Sequence, residues 1–301
     1  MALIKAIQAE IEARALPNGG WTSGTSGRAA IETTCYALMA LKGREGSTRD
    51  DAIELLLRTQ NPDGSWPAFD GDDPEGCWTT ALVTIAFRFV GFPSGVLQKP
   101  IDWLVKNRGR EGHWFWRWKF RTVDRAVQIN ADKFGWSWFP GTVSWVIPTA
   151  FALIALKQSF HCCRTKGTIK RIQIGTEMLR DRACPQGGWN AGNGIVFGSA
   201  LIPHIDATAI ALLALTDDTD ETASRGREWL RQSSADCSSY SLAWSALTFL
   251  IHHDEARNLC IAKLHKALST QRSIFNVETL GLAAIVLKAA DGGTNPFQTV
   301  I

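Results

Sequence analysis

A chain of 301 residues, 45% of them apolar, is long enough to bury a large core. Charged residues make up 20% and nearly cancel at a net charge of +3, too balanced and too scattered for a nucleic-acid-binding surface. The seven cysteines (Cys35, Cys77, Cys162, Cys163, Cys184, Cys237, Cys260) include no CxxC pair, Glu10 and Glu12 interrupt what a signal peptide would keep apolar, and no apolar run is long enough to cross a membrane. These features predict a reduced, cytoplasmic protein with at most peripheral membrane contact.

In chain order, two kinds of apolar segment alternate around Gly-x-Trp turns. The first, IKAIQAEIEARAL from Ile4, is apolar at three- and four-residue spacing with charges between, so one face is wet. A GGW turn ending at Trp21 follows, then ETTCYALMAL from Glu32, which is apolar nearly all round. The unit recurs as DAIELLLRTQ, GSW at Trp66 and WTTALVTIAF from Trp78. KPIDWLVKN, FGWSW at Trp136 to Trp138 and IPTAFALIAL from Ile147 make the third copy. IKRIQIGTEMLRDRA, GGW at Trp189 and DATAIALLAL from Asp206 make the fourth. ASRGREWLRQS with SLAWSALTFL, and NLCIAKLHKALST with ETLGLAAIVL from Glu278, are weaker fifth and sixth copies.

Six wet and six dry segments predict an all-α fold, an α6/α6 toroid of two concentric helical rings, over 1–301 as one domain. An open solenoid would show the same local pattern but needs polar ends. The sixth dry segment is as apolar as the others, so closure is expected, with the Glu32 and Glu278 helices as neighbours. An aromatic and basic insertion at about 108–145, rich in Trp, Arg and Lys, interrupts the third unit. It reads either as a lid or pocket rim, with Trp116, Trp118 and Arg121 facing a ligand, or as a surface excursion packed by its own aromatics.

LRTQNPDGSW, from Leu57 to Trp66, resembles the QW motif of triterpene cyclases, with Gln60, Gly64 and Trp66 in place. The Trp21 and Trp189 turns keep Gly19 and Gly187 but have Ala15 and Ala183 where the glutamine would stand. WPAFDGDD after Trp66 is similar to a stretch of hopene-forming enzymes, and HIDATAIALLAL sits where those enzymes carry D-x-D-D-T-A. By repeat pattern the chain resembles one barrel of the squalene-hopene and oxidosqualene cyclases, which usually have two. The resemblance implies protonation-initiated cyclisation of a polyprenyl or triterpene substrate, with a hydrophobic isoprenoid as ligand. It implies no metal and no cofactor, magnesium entering only with a diphosphate substrate. Thirteen tryptophans fit such chemistry, because aromatic faces stabilise carbocations without quenching them. Trp21, Trp66 and Trp189 read as packing staples; Trp78, Trp136, Trp138 and Trp145, at or before dry-helix starts, are the cavity candidates.

The initiating acid must stay protonated at neutral pH. Asp206 aligns with the central aspartate of D-x-D-D-T-A, but His204 and Ala207 replace the outer two. Asp206 is therefore either a lone donor, with His204 as its partner, or an N-cap. The literal D-x-D-D string of Asp70, Asp72 and Asp73 lies in a loop and reads as a solvated turn or a second acid site. The same repeat column holds Glu32 and Glu278, so three carboxylates are expected at one mouth, at positive helix ends.

Two rivals remain. ETTCYALMAL also looks like the zinc-binding helix of protein prenyltransferases, but Thr33 stands at the zinc histidine and no D-x-C opens another dry helix. A barrel that binds isoprenoid without catalysis fits as well. Glycan processing lacks a paired-carboxylate signature in the sequence.

Overall fold

The computed structural model describes residues 2–24, 27–72, 74–122, 129–217 and 220–299; Asp73 and the side chain of Arg121 lie outside the described residues. Helices pair in chain order as outer then inner: α1 (Ala2–Ala13) with α2 (Ile31–Ala40), α3 (Ser47–Arg58) with α4 (Thr79–Val90). After α5 (Gln98–Lys106) an extra helix, α6 (Trp114–Thr122), precedes the inner α7 (Val146–Gln158). The series continues with α8 (Lys166–Asp181) and α9 (Ile205–Ala214), α10 (Glu221–Ser233) and α11 (Ser239–Ile251), α12 (Ala256–Gln271) and α13 (Val277–Ala290). The fold is the α/α toroid that the repeats predict.

Burial follows the two apolar patterns. Every residue of α7 except Ile147 is buried. In α12 only Cys260, Leu264 and Leu268 are, one residue per turn on a single face. Each inner helix packs on the next, and α13 packs on α2, so the inner ring closes. Gly281 allows that last approach, since a Cβ there would lie 3.0 Å from the Tyr36 backbone. The outer ring closes on the same step, α1 lying on α13 as α3 lies on α2. Arg272 Nε donates to Glu10 at 2.6 Å, and Arg14 donates to the Phe275 carbonyl at 2.5 Å across this seam.

Four tryptophans clamp the hairpins identically. The indole N–H of Trp21, Trp66, Trp136 and Trp189 donates to a carbonyl at the end of the preceding outer helix, at 2.7, 2.6, 2.8 and 2.6 Å. Their backbone N–H groups donate to Thr34, Thr80, Thr149 and Thr208, which lie on the following inner helices. Each threonine stands two residues past the repeat column of Glu32, Trp78, Ile147 and Asp206. The fifth and sixth copies have neither the tryptophan nor the threonine. Trp136, expected in a cavity wall, is thus a packing staple, and it also lines a small hollow with Trp78. The first glycine of a turn is equally constrained: Gly64 has φ +93°, and a Cβ would lie 2.6 Å from the Lys99 carbonyl carbon. Thr80→Val keeps the volume but strands the buried Trp66 N–H, so chemical denaturation should show a loss of about 1–3 kcal/mol.

The axis of the ring is filled with aromatic side chains. Phe151 and Trp244 meet edge to face at 5.8 Å, and Trp244 meets Tyr36 at 5.9 Å. Phe297, on the segment after α13, is fully buried against Trp244 at 4.9 Å and Phe151 at 6.1 Å. Gln158 Nε2 holds this segment through the carbonyls of Pro296 at 2.7 Å and Gln298 at 3.0 Å. One feature departs from the all-helical expectation: a two-stranded hairpin, Ile195–Val196 with Ser199–Ala200, follows the Trp189 turn.

Candidate functional site at the acidic mouth

Because every hairpin has the same sense, the inner helices present their N-termini at one end of the ring. Positive helix ends attract carboxylates, and Glu32, Asp206 and Glu278 lie in the first turns of α2, α9 and α13. Glu32 and Glu278 come from the two helices that meet at the seam. Burial, with Glu278 second, pushes the Glu32 carboxyl from its usual 4.5 up to about 8; the nearby Tyr36 hydroxyl offsets part of the rise. Glu32 is therefore a neutral acid at pH 7. Glu278 accepts from Thr33 Oγ1 at 2.6 Å and from Asn276 Nδ2 at 3.4 Å. Thr33, the position where the resemblance to prenyltransferases would need a zinc histidine, instead positions Glu278.

Below Glu32 the polar groups are few and incompletely satisfied. The Tyr36 hydroxyl and the Trp244 indole N–H are buried, and neither has a partner at full hydrogen-bond distance. Burial first, then Glu32, pushes the Tyr240 hydroxyl well above its ordinary range, so Tyr240 remains a proton-bearing donor. The only two tyrosines of the chain, Tyr36 and Tyr240, thus belong to this mouth. Trp78 forms the wall on the α4 side, edge to face with Trp138 at 5.1 Å and tilted on Phe151 at 5.5 Å.

The remaining sequence candidates divide. Asp206 is half-buried, and its charge reaches Tyr240 and Cys237. It is not the N-cap of α9: that position is His204, which makes no side-chain capping bond. His204 is exposed and lies 3.4 Å from Asn190 Nδ2, so the hydrogen bond it was expected to give Asp206 is not made. Asp70 is paired with Arg58 at 2.8 Å and Asp72 with Arg28 at 3.5 Å, so this loop is a solvated, salt-bridged turn. Trp116 lies on the insertion between Arg110 at 4.7 Å and Lys119 at 4.9 Å, and Trp118 is 56% exposed. Trp145 lines a separate hollow of about 440 Å³ that holds the buried pair Glu111 and Arg182, 3.9 Å apart.

Sequence reasoning missed Tyr36, Tyr240, Trp244 and Phe297. The two tyrosines did leave a signal: Tyr36 stands one helical turn after Glu32, and Tyr240 immediately precedes the same repeat column at Ser241. Phe297 left none, since it lies beyond the last repeat. Among the described residues no group of three or more His, Cys, Asp or Glu could hold a metal ion, and no helix is long and apolar enough to cross a membrane.

No protein-family model matches the chain. A squalene-hopene cyclase of Bradyrhizobium diazoefficiens is 28% identical over 130 residues, which span 42% of this chain and 18% of that protein. The type II terpene cyclase MstE from Scytonema, solved in complex with merosterolic acid A, superposes with a TM-score of 0.61 at 15% identity, covering 96% of each chain. A family 76 glycoside hydrolase from a bovine Bacteroides thetaiotaomicron strain superposes with a TM-score of 0.68 at 8% identity, covering 97% of this chain and 78% of that one. The structural likenesses establish the ring itself, and the sequence match lies with a cyclase. The chain thus folds as an α/α toroid like these enzymes, and over 130 residues its sequence is similar to part of a squalene-hopene cyclase.

Proposed function

We propose that this protein protonates an isoprenoid alkene or epoxide at the acidic mouth and so starts a carbocation cyclisation, with Glu32 as the proton donor. The observation that carries the reading is a carboxylic acid held neutral to about pH 8 directly above an aromatic interior. The Glu32 proton passes to the alkene carbon or epoxide oxygen, leaving a carboxylate and a carbon cation. Trp78, Phe151 and Trp244 offer π faces to that cation, and none of them is a nucleophile strong enough to trap it. In this reading Glu278, which accepts from Thr33, takes up the proton that ends the sequence. Asp206 is the second candidate for donor. Because Phe297 fills the axis, a long chain requires the segment around it to withdraw. On α6, Trp114, Phe115 and Trp118 are exposed beside basic residues, which supports peripheral membrane contact for a protein acting on a lipid-soluble substrate.

A second reading has one observation in its favour: a pair of carboxylates, Glu32 and Glu278, brought together at the seam also suits glycoside hydrolysis. The dry, aromatic floor beneath Glu32 favours the isoprenoid. Incubation with squalene, oxidosqualene and prenyl diphosphates, followed by extraction, should yield a cyclised product that Glu32→Gln no longer makes. Loss in Asp206→Asn with full activity in Glu32→Gln would move the donor to Asp206. Hydrolysis of oligosaccharides dependent on Glu32 would favour the second reading.

A further inference from the structure

At the opposite end of the ring the charge is reversed. A groove of about 530 Å³ opens beside the C-terminal ends of α2 and α13, against α1, a volume typical of small-molecule sites. Met39, Phe89 and Ile285 supply apolar lining, while Lys5, Lys42, Arg44 and Lys288 bring positive charge; Asp291 is the one acid in the lining. Helix C-termini welcome a cation, and Lys288 fills that role by donating to the carbonyls of Ala40 and Lys42 at 2.8 Å each. Arg44 is neutralised by Glu12, which accepts from it at 2.6 and 2.8 Å. Lys5 and Lys42 remain. Among the described residues no carboxylate pairs with either, and the Lys42 ammonium lies 3.9 Å over the Phe89 ring, against an apolar wall.

Capping alone does not explain this crowding. Burial first, and after it the repulsion of the nearby Lys42 and Arg44 charges, pushes the Lys288 ammonium below its ordinary range. An anion at the rim would relieve that repulsion, and the apolar lining would accept a chain attached to it. The fit is to an amphiphile, since a bare anion leaves the apolar wall wet and a neutral chain leaves the lysines unpaired.

We propose that this groove is a binding site for a single-chain anionic amphiphile, whose carboxylate or phosphate pairs with Lys5 and Lys42 and whose chain lies on Met39, Phe89 and Ile285. The site is separate from the acidic mouth and does not depend on what that mouth does.

Titration calorimetry with dodecyl phosphate should show one site per chain. Dodecanol should bind at least about tenfold more weakly, and inorganic phosphate should not bind measurably. The double substitution Lys5→Gln, Lys42→Gln should weaken dodecyl phosphate at least about tenfold. Thr294→Trp, at an exposed position on the groove wall, should block it without unfolding the chain. Glu32→Gln should leave binding unchanged, so failure of the mouth reading would not be mistaken for failure here. Equal affinity for dodecanol, or binding indifferent to the lysines, would overturn the proposal. So would phosphatidylglycerol vesicles that bind through Lys42 when dispersed dodecyl phosphate does not, since the groove would then be a membrane contact.

Discussion

Glu32→Gln is expected to lower proton-initiated turnover by roughly 10²–10⁴-fold and, at the same time, to make the protein more stable in alkaline solution. The two effects have one cause. In the folded state the Glu32 carboxyl is raised from 4.5 to about 8, chiefly by burial and next by Glu278. A raised carboxyl favours folding while it is protonated, so its contribution is complete below pH 4.5 and is lost as the pH rises through about 8. The neutral amide has no such loss. Above pH 8 the variant should therefore exceed wild type by something on the order of 3–5 kcal/mol in denaturant unfolding, with the two converging near pH 4.5. The wild-type rate should fall over the same alkaline limb, because only the protonated acid can donate. A variant that is inactive but shows the wild-type pH dependence of stability would separate the two effects and remove Glu32 from the donor role.

Phe297→Ala should cost roughly 3–5 kcal/mol, the usual loss when a fully buried aromatic is cut to a methyl group. Phe297 has no exposed surface and meets Trp244 at 4.9 Å. In a chain of this size that loss should lower Tm by several degrees. The substitution should also open an apolar void on the axis, between Phe151 and Trp244 and below Tyr36. If the substrate chain uses the same volume as the Phe297 ring, KM for an isoprenoid should fall in the variant while the Glu32-dependent pH profile stays in place. A raised KM would mean that Phe297 is part of the binding wall and does not compete with substrate.

The ring could be read from the chain because its signals are periodic. Six dry segments such as that from Ile147 to Leu156 alternate with amphipathic ones, and the equal dryness of the first and last leaves closure as the way to bury both. The staples were half-legible: Trp21, Trp66 and Trp189 declared themselves by their glycines, whereas Trp136 lies in a turn that the insertion obscures. The threonine column that receives their N–H groups is equally periodic and marks which turns are stapled. The mouth was legible only as a column of carboxylates. The raised Glu32 carboxyl depends on burial and on the approach of Glu278, a pairing across 246 residues of sequence that only ring closure creates. Asp206, favoured by its motif position, has the same intermediate burial as Glu32 but opens α9, away from the seam where α2 meets α13. The hairpin at Ile195–Val196 was illegible because two residues per strand carry no periodicity.

The protonation state of Glu32 can be observed without any substrate. Infrared difference spectra of wild type minus Glu32→Gln, recorded from pH 5 to pH 9, isolate the carboxyl stretch of this one side chain. A protonated-acid band present at pH 7 and bleaching as the pH passes about 8 is the predicted result. Absence of that band at pH 7, with a carboxylate signal that titrates near the ordinary 4.5, would contradict the assignment of Glu32 as the neutral acid of the mouth.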